Sequence, residues 1–123
     1  MKISIEKISI INITLLDITK GGIDVLKDST HIKEHQLIDE ISSLFQNIIK
    51  HSIIAPLSLL ALEEDNERDL IGIVNVAEGL FDIAISRCNC IEDNTTLRHI
   101  RGTCKLTKKR IVNYLNANIL SIE

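Results

Sequence analysis

The chain has 123 residues, 45% hydrophobic and 25% charged, a size and balance expected of one folded domain and not of a disordered chain. Its net charge of -3 and pI near 5.8 give no global attraction to nucleic acid or an anionic membrane. Aromatic residues make up only 2% (Phe45, Phe81, Tyr114), so base-stacking platforms and cation cages lack π-faces, and aliphatic side chains must fill the core.

The N-terminal stretch fits two patterns. Ile3, Ile5, Ile8, Ile10 and Ile13 alternate as in a strand, whereas Ile8, Ile11, Leu15 and Ile18 follow the helical period. No later segment offers a strand partner, and a lone strand leaves its backbone groups unpaired. We therefore expect a helix from about Ile5 to Lys20, ended by Gly21 and Gly22, with a short helical turn at Ile23 to Lys27. Glu6 and Asp17 interrupt the apolar run, which reads as neither a signal peptide nor a membrane span.

Residues 30–51 carry Ile32, Leu37, Ile38, Ile41, Leu44, Phe45, Ile48 and Ile49 at steps of three and four, an amphipathic helix that Ser29 or Thr30 is placed to cap. Pro56 fits the first turn of a short helix to about Leu62, where a missing N–H costs nothing. Asp65 or Asn66 is then expected to cap a helix running to about Arg87, with Leu70, Ile71, Val74, Ala77, Leu80, Phe81, Ala84 and Ile85 inward and Ile73, Val76 and Ile83 widening the stripe. After a loop around Cys90, a last helix starts at Asn94 or Thr95 and turns Leu97, Ile100, Cys104, Ile111, Leu115 and Ile119 to the core. These segments predict an all-α protein, a compact four- to five-helix bundle forming a single domain over 1–123.

His31 and His35 stand four residues apart, but a zinc site needs further ligands, and solvated histidines are expected, with Glu34 and Glu40 nearby adding only weak surface pairing. Cys88, Cys90, His99 and Cys104 carry metal-ligating groups in an unsuitable spacing, since paired zinc ligands are usually separated by two to four residues. Cys104 reads better as a small buried hydrophobe. With no sign of secretion, the cysteines are expected as reduced thiols in the cytoplasm. His99-Ile100-Arg101-Gly102 resembles the phosphohistidine motif of two-component phosphotransfer domains, although the glycine comes one residue too early. That resemblance implies a signalling role through His99.

Two charged features remain. Glu63, Glu64, Asp65, Glu67 and Asp69 form the densest charge in the chain, suited to steering a basic protein partner. Arg98, Arg101, Lys105, Lys108 and Lys109 share one face of the last helix and form a candidate phosphate or nucleic-acid surface. Without interleaved aromatics, and with a negative total charge, nucleic acid is the less favoured partner.

No phosphate-binding glycine loop, nucleophile elbow or cofactor signature is present, so we expect neither an enzyme nor a bound metal or cofactor. The reading that remains is an interaction protein of the immunity-protein or antitoxin kind used by bacteria, which neutralises a basic, toxin-like partner through the acidic run. A regulator acting through the basic face is the alternative. A homodimer is compatible with either, and a membrane partner is not expected.

Overall fold

The computed structural model describes residues 3–61, 67–89 and 95–120. Helix α1 spans Ile5–Gly22, α2 Ile32–Ile48, α3 Ala55–Leu60, α4 Glu67–Ile85 and α5 Thr95–Leu115. A two-turn 3₁₀ segment follows α1 (Asp24–Ser29) and a single turn follows α4 (Ser86–Cys88), and wide π-helical turns follow α2 (Ile49–Ile54) and α5 (Asn116–Leu120). No strand occurs among the described residues. The N-terminal isoleucines form a helix, and the chain is the expected all-α bundle.

α1 packs on α5, α5 on α4, α4 on α2 and α2 on α1, closing a ring around one aliphatic core. Its two buried rings, Phe45 on α2 and Phe81 on α4, lie with centroids 4.6 Å apart at an interplanar angle of 44°, a tilted arrangement that suits the ring quadrupoles. The inward stripe of α5 is buried as expected, with one addition. Thr107 is also buried, because its hydroxyl donates to the Thr103 carbonyl at 2.9 Å and carries no unmet donor into the core.

α1 ends at Gly22, as expected, although Ile23 continues in right-handed backbone and not in a left-handed cap. Gly22 answers to packing instead. A Cβ there would overlap Thr107 Oγ1 and sit 3.1 Å from Thr107 Cβ and Cγ2, so the missing side chain lets α1 approach α5.

Two other local expectations need correction. Neither Ser29 nor Thr30 caps α2. Both hydroxyls donate backwards to the Leu26 carbonyl, at 3.2 and 3.0 Å, and the cap position falls to His31 without a side-chain hydrogen bond.

α3 is also not a separate helix after a loop. α2, the π turn and α3 run without interruption from Ile32 to Leu60, with Pro56 in the first turn of α3. Ile49, Ile53, Leu57 and Ala61 are all buried and repeat every four residues. In a 3.6-residue helix such a stripe drifts by about 40° per step, and the wider π turn offsets that drift and keeps the stripe on the core. The caps expected from Asp65, Asn66 or Asn94 lie outside the described residues.

Candidate protein-docking surface

A groove of about 650 Å³ lies where the end of the α2–α3 rod meets the first half of α4. Pro56, Leu60 and Ile73 line it, and His51 and Asp69 supply polar lining. Leu59 and Val76 also line it and are 71% and 58% exposed. The rod places Pro56, Leu59 and Leu60 because its inward stripe uses Ile53 and Leu57 and turns the neighbouring positions outward. α4 does likewise, with Leu70, Val74 and Ala77 buried and Asp69, Gly72 and Val76 turned to the groove.

Of the predicted acidic run, Asp69 is exposed on the groove wall and Glu67 is the first residue of α4. Glu63, Glu64 and Asp65 lie outside the described residues, in the sequence that joins α3 to α4. The structure thus brings Asp69 together with an apolar surface that charge reading alone passed over. Leu59 lies two positions from both Leu57 and Ala61, on the outer face of the rod, and Ile71, Val76 and Ile83, expected inward on α4, are exposed, because Leu70, Val74, Ala77, Phe81 and Ala84 already fill its core face.

The basic face of α5 is divided. Arg98, Lys105 and Lys109 are exposed and Arg101 is half-buried. Lys108 turns toward α4, where its ammonium donates to Asp82 Oδ1 at 2.7 Å and stands 3.6 Å from Glu78 Oε2. The hydrogen bond from Lys108 to Asp82 raises the lysine pKa, and partial burial opposes that effect. Lys108 therefore joins two helices and has much of its charge neutralised by α4.

The histidines separate as well. His31 is exposed, whereas a ring nitrogen of His35 lies 2.9 Å from the Lys27 carbonyl, which ties α2 to the preceding 3₁₀ segment. His99 is exposed on α5 while Cys104 faces the core. Among the described residues, no group of three or more His, Cys, Asp or Glu is placed to hold a metal.

Cys104 is fully buried, as its position on the inward stripe implies, and so is Cys88. The two thiols are hydrogen-bonded neighbours. That bond lowers the Cys88 pKa, assisted by the Arg101 charge and opposed by burial. The same bond, with burial and the neighbouring sulfur, pushes Cys104 well up, so Cys104 keeps its proton.

Glu34, expected to act only in weak surface pairing, is buried at the start of α2 with Lys33 Nζ 3.9 Å away. Its sequence position carries the signal, because Glu34 stands four residues before Ile38 and seven before Ile41, on the inward stripe of α2. Glu40 does stay at the surface, 3.5 Å from Arg87 Nε. No helix among the described residues is long and apolar enough to cross a membrane. No protein family, curated protein or solved structure matches this chain.

Proposed function

We propose that the chain acts by binding another protein, as an inhibitor of the immunity-protein or antitoxin kind, with the α3–α4 groove and the acidic run as the contact surface. One observation carries the reading: an apolar groove with exposed Leu59 and Val76 has Asp69 on its wall, at the α4 end where the acidic sequence enters. Apolar contacts of this kind hold a partner once seated, and surrounding carboxylates accelerate its arrival and select a basic surface. The expected occupant is a basic protein with an apolar side chain projecting from its positive patch.

The test is to purify the chain with the product of each adjacent gene and follow association and dissociation. Charge reversal at Glu67 and Asp69 should slow association by roughly tenfold at low salt, with dissociation little changed. Val76→Asp should instead speed dissociation. Tight binding that both variants leave untouched would remove this surface from the interface.

A further inference from the structure

The outer face of α1 carries four exposed large apolar side chains on one helix. Ile5, Ile10 and Ile13 are 76%, 60% and 57% exposed, and Leu16 is exposed beside them. Inward, the same helix already buries Ile8, Ile11, Leu15 and Thr19, so this apolar character is additional to what the bundle requires.

The arrangement of residues about Ile13 says what covers it. In an antiparallel pair of identical helices crossing at Ile13, a residue n positions after it in one copy faces the residue n positions before it in the other. Three positions away the pair is Leu16 with Ile10, and four away it is Asp17 with Ser9, a carboxylate against a hydroxyl. At seven positions Lys20 meets Glu6, opposite charges.

Seven residues are close to two helical turns, so Glu6 and Lys20 stand about 10 Å to either side of Ile13 and within about 20° of its direction. Glu6, Asp17 and Lys20 are all exposed and have no ion pair within the chain among the described residues. The face is thus self-complementary under a two-fold operation, and each symmetric crossing would supply two Glu6–Lys20 contacts. It differs from the α3–α4 groove, whose lining among the described residues carries Asp69 and His51 and no lysine or arginine.

We infer that α1 is a homodimer interface, in which a second copy of this chain packs antiparallel across Ile13 with Glu6 of each protomer against Lys20 of its partner. The interface leaves the α3–α4 groove free, so a dimer presents two docking surfaces.

Sedimentation equilibrium of the full chain, over a concentration series up to about 1 mM, reads the prediction directly. A reversible dimer is expected. Ile13→Asp should abolish it while the far-ultraviolet helical signal is retained, because Ile13 is exposed in the single chain. Glu6→Lys and Lys20→Glu should each weaken association by roughly tenfold, since each places like charges at both symmetric contacts. Together they should restore the wild-type constant to within about threefold, because the swap recreates the opposite pairing. A monomer throughout the series would overturn the inference. A dimer indifferent to Ile13→Asp would do so too, as would a charge-swapped double variant no stronger than either single variant.

Discussion

Gly22 and Gly102 are the same residue type in two helices and should respond oppositely to alanine. At Gly22 the new methyl would strike Thr107, whose position is fixed by the Thr103 carbonyl and by burial. Gly22→Ala should cost about 1–3 kcal/mol, the range for overpacking a filled contact. Adding Thr107→Ala should recover part of that loss by removing the clashing hydroxyl and methyl. At Gly102 a Cβ would meet nothing within 4 Å, and Gly102→Ala in the middle of α5 should stabilise by about 0.5–1 kcal/mol. Urea denaturation of the four proteins measures all of these effects. That Gly102 lies inside a helix was legible from the apolar period around it. The role of Gly22 was not legible, because it depends on a threonine 85 positions away that no local pattern connects to it.

At the scale of elements, the inward stripes were largely legible because 3.6-residue periodicity is a local property and this core is almost wholly aliphatic. What local reading missed are places where one element meets another: the π turn that makes α2 and α3 one rod, the buried Thr107, and Lys108 leaving the basic face for α4. The Lys108 contact has a defined pH signature. Its pKa is raised in the folded chain above the ordinary lysine value of 10.5. The pair's stability is therefore fully present below that value and is lost as pH rises through the higher, folded value. A double-mutant cycle of Lys108→Met with Asp82→Asn should give a coupling of about 0.5–1 kcal/mol at neutral pH. It should shrink toward zero as pH rises through the raised, folded value above 10.5. Coupling that survives there would show that the lysine chain, and not its charge, joins α4 to α5.

For the whole molecule, the division of labour between core and surface supports the proposed function. The ring of α1, α5, α4 and α2 closes on itself, and its aliphatic stripes are used in that closure. Among the exposed apolar residues, Leu59 and Val76 line the α3–α4 groove beside Asp69, and Ile5, Ile10, Ile13 and Leu16 share the outer face of α1 with Glu6 and Lys20. The acidic run was legible in the sequence as a charge cluster. The groove beside Asp69 was not, since it takes the rod and α4 together to form it. The most direct test of this surface is hydrogen exchange on the chain alone and saturated with the product of an adjacent gene. New protection is expected in α3 and the first turns of α4, with the Arg98–Lys109 face of α5 unchanged. Protection confined to that basic face, with α3 and α4 exchanging as before, would contradict the account.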